Sequence, residues 1–289
     1  MNTSLDTSNA SDATTLSRPA SSVAARPMLP PITDGSGIGW AIQDTLSMTW
    51  RNLTTIRRVP QLLVFALIQP CIFVLMFRYV FGGSIQIPGL SYVDYLMPGI
   101  FTQTCAFGAI STAVGLAEDK GKGLLERMRS LPMARSAVLG GRVLADTTRN
   151  VFVVLLMLAI GVAVGFRTHT NVAMVALGVF LLVLFGFSLS WVFALIGLSV
   201  TNGEAAQAAG FPLLAPLVFA SNAFVDPAKM PGWLQGWARH QPVSAAADAV
   251  RACMVTGGPT ATKVLTSMAW SLGTAVVLAP IAVHRYRRI

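Results

Sequence analysis

The chain has 289 residues, 54% of them hydrophobic and only 11% charged, with a formal net charge of +9 and a mean hydropathy of +0.63. Soluble domains carry roughly a quarter charged residues, so the composition excludes an ordinary water-soluble fold and points to an integral membrane protein. The positive charge does not imply nucleic acid as a partner: Lys and Arg flank the apolar blocks, where topology-setting charges sit, and form no basic stripe interleaved with exposed aromatics.

In chain order, residues 1–37 are rich in Ser, Thr, Ala, Asp and Pro and contain no apolar run, which predicts a disordered arm. From Ile38 to Val59 the residues Ile42, Leu46, Trp50, Leu53 and Ile56 recur at helical spacing, with Asp44, Arg51, Arg57 and Arg58 off that stripe. That pattern predicts an amphipathic helix lying in a membrane surface, with Trp40 and Trp50 at headgroup depth. Six apolar spans follow, at about 62–81, 95–117, 145–166, 172–200, 205–225 and 264–283. Most reach the ~20 residues that a bilayer demands of a helix. The fifth carries Gly210, Pro212 and Pro216 and is expected to kink. The expected fold is therefore all-α, with six transmembrane helices, an N-terminal interfacial helix, a short cytoplasmic helix and an external helical segment before the last span.

Basic residues set the orientation. With the N-terminus inside, fifteen Lys and Arg face the cytoplasm and six lie outside, which places both termini in the cytoplasm of a multi-pass protein. Cys71, Cys105 and Cys253, like His169, His240 and His284, are scattered, which argues against a disulfide framework or a metal site. The spans read as free of ionisable residues at depth, which counts against ion-coupled transport. Paired carboxylates, Ser/His/Asp spacing and HExxH are all missing, so a membrane enzyme is disfavoured. Gly121-Lys122-Gly123 lacks both the earlier glycine and the following Ser or Thr of a phosphate loop, so ATP would have to be hydrolysed by another chain.

Residues 118–150 form the most charged loop. Gly121 and Gly123 interrupt the helix, Leu124 to Leu131 can form a short one with Leu124, Leu125, Met128 and Leu131 on one side, and Pro132 stops it. Such a helix could dock in a partner's groove or lie on the bilayer; periodicity leaves both open.

This loop resembles the cytoplasmic signature of type-2 ABC exporter permeases, in which an acid and a glycine precede an apolar-apolar-Glu-Arg stretch and a proline. Three further stretches are similar to that family: Tyr95-Leu96-Met97-Pro98-Gly99-Ile100 at the second span, Phe224 to Pro227 with Met230 to Leu234 after the fifth, and Gln241-Pro242-Val243 with Asp248 to Arg251 before the sixth. The resemblance covers about residues 40–289 and looks most like the daunorubicin-resistance-like components of actinobacteria. It implies the membrane half of an exporter in the bacterial plasma membrane, two permease copies pairing as a homodimer with two copies of a separate ATPase. The chain itself would bind no cofactor; ATP and Mg would sit on the ATPase. The same resemblance implies that Glu118, Gly121, Leu124, Leu125, Glu126, Arg127 and Pro132 couple the two subunits. The extra glycine in Lys120-Gly121-Lys122-Gly123 departs from the pattern and leaves the start of the coupling helix open.

The external segment places Trp233 and Trp237 at headgroup depth and lets Ser244, Asp248 and Arg251 meet along a helix. Trp233, Trp237, Asp248 and Arg251 are the candidates for an outer gate, the alternative being a structural cap. Phe101, Thr102, Phe107, Phe211 and Phe219 are the candidate pathway lining, the alternative being packing or lipid contact. The expected cargo is a hydrophobic or amphipathic drug, antibiotic or lipid-like metabolite. The competing function is a stand-alone ion-coupled carrier or channel.

Overall fold

The computed structural model describes residues 38–58, 61–81, 91–129, 135–257 and 260–288. The expected arm at 1–37 and Pro132 lie outside the described residues. Eleven helices are found among them: α1 (Ile38–Arg58), α2 (Gln61–Met76), α3 (Tyr92–Gly108), α4 (Ile110–Gly121), α5 (Leu124–Arg129), α6 (Arg135–Val164), α7 (Val172–Ser199), α8 (Gly203–Phe219), α9 (Gly232–His240), α10 (Pro242–Arg251) and α11 (Thr260–Arg288). Four stretches are long and apolar enough to cross a bilayer: Tyr92–Gly121, Ser136–Val164, Val172–Ser199 and Thr260–Arg288. The fold is thus all-helical and built for a membrane.

The expected first and fifth spans are shorter. α2 has 16 residues with Pro70 inside and continues as a π-helical turn, Phe77–Phe81. α8 has 17 residues and holds Pro212 and Pro216. Asn171 and Asn202 start α7 and α8 by accepting from the amides of Met174 and Ala205 at 3.0 and 2.8 Å, which satisfies one orphan donor at each helix start.

α7 is apolar all round, the pattern of a helix with protein on one side and lipid on the other. It packs on α11, α4, α6, α3 and α10. Its side chains divide between two clusters. One gathers α3, α6, α7, α8 and α10 around Phe101, Phe166, Phe185 and Phe193. The other, at the α5 end, joins Met48, Leu125, Met128, Leu139, Trp191 and Tyr286.

α1 packs along the first half of α6. Contact is close because a side chain at Gly141 would run into Met48. The chain-facing side of α1 carries Met48 and Asn52, while Ile42, Leu46 and Trp50 point outward, Trp50 being 71% exposed. Three members of the predicted apolar stripe therefore face away from the protein; Leu53 is half-buried, and the Ile56 side chain lies outside the described residues.

α6 begins at Arg135, well before the apolar run expected as the third span. Arg142, Asp146 and Arg149 are consequently helical and packed against the second span. Asp146 is thereby buried among the helices, 1% exposed, at the start of the expected third span. The physical reason is continuity: residues 135–150 already alternate at helical period, so the helix need not start where the apolar run does.

Candidate functional site

The second apolar helix breaks between α3 and α4. The Thr112 amide donates to the Ala109 carbonyl at 3.0 Å, one residue short of the α-helical partner. The Gly108 carbonyl is then left to other donors, and takes the Ser111 hydroxyl at 2.8 Å and Arg149 Nη2 at 2.6 Å. Arg142 Nη2 donates to the Ser111 carbonyl at 3.0 Å. Glycine at 115 is required for that approach, since a Cβ there would occupy the space of the Arg142 guanidinium.

Between the two guanidiniums lies Asp146, 1% exposed. Its Oδ2 accepts from Thr112 at 2.7 Å and from Arg142 Nε at 3.3 Å, while its Oδ1 lies 3.7 Å from Arg149 Nη1 and 3.3 Å from the Ser111 hydroxyl, whose one proton serves the nearer Gly108 carbonyl. A carboxylate in a low-dielectric interior persists only when its acceptor sites are filled in this way. The signal for this cluster was present in the sequence as spacings of four and three, one face of a helix.

A cavity of about 810 Å³ adjoins the cluster. It extends from Leu124 and Lys122 at the α5 end to Phe107 and Phe211, whose rings lie 5.9 Å apart. Of the candidate lining residues, the structure brings Phe107 and Phe211 to this cavity. Phe219 instead stacks with Phe224 at 5.8 Å and neighbours Phe73 at 6.3 Å, near the opposite end. Phe101 and Thr102 are buried in the protein's own packing; Phe101 meets Phe166 edge-on at 5.9 Å and the Thr102 hydroxyl donates to the Pro98 carbonyl at 2.8 Å.

The α4–α5 junction is a glycine turn. The amides of Lys122 and Gly123 return to the carbonyls of Glu118 and Lys120, both at 3.0 Å, and Gly123 adopts φ +66°. Only glycine takes that conformation without strain, so Gly123 ends α4 and α5 begins at Leu124. α5 presents Glu126 and Arg127 outward, beside exposed Gly121 and Glu118 at the end of α4, Glu118 pairing with Lys122 at 3.2 Å. The apolar side does not face outward: Leu125 is 2% exposed and Met128 is buried with Val138, Leu139 and Met48, Leu124 packing against them. Leu124, Leu125 and Met128 thus have partners within the chain, among them Met48 of α1 and Val138 and Leu139 of α6, while Leu131 lies outside the described residues. Arg51 strengthens that seat, its Nη1 lying 3.4 Å from Met128 Sδ and its Nη2 3.6 Å from Asp119.

At the other end α8 stops at Phe219, and the chain runs without helical bonding through the protein interior. Buried irregular backbone must find side-chain donors. Gln241 Nε2 donates to the Ala220 carbonyl at 2.7 Å; the Tyr95 hydroxyl and Arg251 Nη2 both donate to the Asn222 carbonyl at 3.1 Å. The Ser244 hydroxyl receives the Asn222 amide at 3.2 Å. Arg251 also pairs with Asp248 at 2.8 Å, donates to the Tyr95 carbonyl at 3.2 Å and lies 3.9 Å over the Tyr95 ring. The structure therefore brings Asp248 and Arg251 together. Trp233 and Trp237 stand apart on α9, exposed, Trp233 at 81%. Tyr95 and Asn222 belong to the knot although the sequence did not single them out for it.

Comparison with known proteins gives the arrangement its family. Residues 43–255 match the profile of the family described as "ABC-2 type transporter". The chain is 34% identical over 247 residues to a daunorubicin resistance ABC transporter permease protein of Streptomyces coeruleorubidus, covering 86% of this chain and 87% of that one. It is 28% identical over 250 residues to a protein of Mycobacterium tuberculosis named "Probable doxorubicin resistance ABC transporter permease protein", covering 86% and 89%. With its all-helical, membrane-length helices and this match across most of its length, the chain belongs to the ABC-2 type transporter family as a membrane permease.

Proposed function

We propose that the chain is the membrane half of an ATP-driven exporter that moves a hydrophobic or amphipathic compound, a drug, antibiotic or lipid-like metabolite, out of a bacterial cell. The observation that carries this reading is the family match over residues 43–255, in which relatives named for anthracycline resistance share most of the chain. Two copies of the chain pair with two copies of a separate ATPase, which holds ATP and Mg²⁺; this chain needs no cofactor of its own.

Residues 38–289 form the permease and 1–37 a cytoplasmic arm. It spans the membrane six times: the four long helices, α2 with its π turn, and α8. The 17 residues of α8 reach about 25 Å at 1.5 Å each, which local thinning of the bilayer accommodates. Both termini are cytoplasmic, since the basic residues gather there, and α1 rests in the cytoplasmic surface.

α5 is the coupling helix. Its contact face is the polar one, with Glu118, Gly121, Glu126 and Arg127, while Leu124 and Leu125 anchor it to α1 and α6; Pro132 continues the segment. The cytoplasmic-side cavity with Phe107 and Phe211 is the first part of the route, and Phe219 with its aromatic neighbours a later part. Phe101 and Thr102 support the wall from behind. The knot around Arg251 and Asp248 is the outer gate, with Trp233 and Trp237 holding α9 at headgroup depth.

The buried carboxylate of Asp146 favours the stand-alone ion-coupled carrier as a second reading. Its charge is already balanced by two guanidiniums, however, and its Oδ2 accepts from Thr112 and Arg142, which disfavours a coupling ion there. Transport in vesicles containing both subunits, run with and without ATP, separates the two readings.

A further inference from the structure

Near its end α4 carries two adjacent side chains that reach different neighbours. Asp119 pairs with Arg51 of α1 at 3.6 Å, and α1 shares with α5 the cluster around Met48, Leu125 and Met128. Lys120 turns instead to the C-terminus of α7, where its Nζ donates to the Leu198 carbonyl at 3.0 Å and to the Val200 carbonyl at 3.2 Å. The last carbonyls of a helix lack intrahelical donors and form the negative end of its dipole, so an ammonium suits them. Among the described residues no other α4 side chain hydrogen-bonds to this turn. The Lys120 carbonyl meanwhile receives the Gly123 amide at 3.0 Å, which closes the turn into α5. The α7–α8 turn sits directly on the end of α4: a Cβ added at Gly203 would lie 3.0 Å from Glu118 Cγ, and one at Gly121 3.6 Å from the Thr201 carbonyl oxygen. α8 starts here, and Gln207 and Phe211 follow Gly203 at spacings of four along it. Both line the cavity, the Phe211 ring 5.9 Å from that of Phe107 on α3. A helix is a stiff element, so a displacement of the turn is carried along α8 to Phe211.

We propose that Lys120 is a positioning residue for energy coupling: it ties the α4–α5 junction to the α7–α8 turn, so that a displacement of α5 by the ATPase shifts α8 and changes the gap between Phe107 and Phe211. This rests on the reading of the chain as an exporter permease with α5 as its coupling helix, and names the residue that carries the movement into the cavity wall. Without the ammonium, α5 and α8 lose this tie while each keeps its own apolar seat, Leu125 with Met48 and Leu139, and Gly210 against Ile110 and Phe193.

The test uses the full chain with its ATPase in sealed inside-out vesicles and reads ATP hydrolysis and uptake side by side. The probe is whichever of rhodamine 6G, a dansyl-labelled fatty acid and a dansyl-labelled alkylamine the wild type takes up with ATP. Lys120→Met keeps the aliphatic stem and removes the charge. It should retain the ATPase at the wild-type ratio and hydrolyse ATP within about twofold of the wild-type rate, while the ATP hydrolysed per probe molecule taken up rises at least about tenfold. Lys120→Arg, whose guanidinium also donates to carbonyls, should restore the wild-type ratio. A cap of purely structural importance would lower yield, hydrolysis and uptake together; that result, or an unchanged ratio in Lys120→Met, overturns the proposal. A second measurement leaves Lys120 in place. In a cysteine-free background, spin labels at Ala208→Cys on α8 and Trp233→Cys on α9, both exposed positions, report the distance between the two helices with the ATPase nucleotide-free and trapped with ATP. A changed distance is expected, and a fixed one overturns the proposal even where Lys120→Met fails to fold. Wild-type uptake that needs no ATP would sink the exporter reading and this role with it, whereas ATP-driven wild-type uptake with normal coupling in Lys120→Met sinks the role of Lys120 alone.

Discussion

Arg149 donates through Nη2 to the Gly108 carbonyl at 2.6 Å, at the point where the second apolar helix breaks. One long cationic side chain thereby repairs a backbone interruption among the packed helices. The same guanidinium reaches Asp146, so the break, the ion pair and the cavity beside them are one unit.

Asp146→Ala leaves Arg142 and Arg149 facing each other without a carboxylate. Breaking a buried ion pair by removing one member costs about 3–5 kcal/mol. The variant should lose monodispersity in mild detergent and unfold at lower temperature. Arg149→Lys should also be destabilising, because an ammonium lacks the fork that serves Gly108 and Asp146 together. Thermal unfolding followed by size-exclusion chromatography reads both.

Tyr95→Phe removes one donor to the Asn222 carbonyl but keeps the ring beneath Arg251. The expected cost is about 1 kcal/mol. Arg251→Ala removes two backbone contacts, the Asp248 pair and the ring contact at once, and should cost several times more. Equal effects would show that the ring, rather than the guanidinium, organises the knot.

Sequence periodicity located much of this architecture but not its partners. The α1 stripe of Ile42, Leu46 and Trp50 was legible as a face, and it points outward as lipid contact requires. The α5 stripe was legible too, yet Leu125 and Met128 pack on α1 and α6, because spacing identifies a face and says nothing of what covers it. Gln241 and Arg251 stood out by family resemblance; that they hold the backbone at Ala220 and Asn222 depends on where α8 ends, which the apolar run to Val225 concealed. Asp146 and Arg149 continue a charged loop in sequence, and only the helix start at Arg135 packs them against the second apolar helix.

Leu125→Asp should disrupt the permease itself, since it introduces a charge into the cluster with Met128 and Leu139. A loss of several kcal/mol is expected. Glu126→Lys and Arg127→Glu alter the outward face and should leave the protein folded while weakening ATPase association by about tenfold. Copurification of the ATPase at matched permease yield distinguishes the two classes.

Cys253 is buried, and burial pushes its thiol above the ordinary value. The thiolate is the reactive form, so at neutral pH the folded protein should resist maleimide at this site. As pH rises, labelling should continue to increase past the point where a free thiol has levelled off. In a background lacking native cysteines, Trp233→Cys should label from outside intact cells and Glu126→Cys only after permeabilisation. The reverse pattern would overturn the orientation.

The most direct measurement is cargo accumulation in sealed inside-out vesicles containing the permease and its ATPase, with an amphipathic fluorescent compound. The account predicts uptake that requires ATP, stops when the ATPase is inactivated, and falls at least about tenfold when Glu126→Lys and Arg127→Glu are combined. Uptake that persists without ATP, or that is indifferent to the outward face of α5, would contradict it.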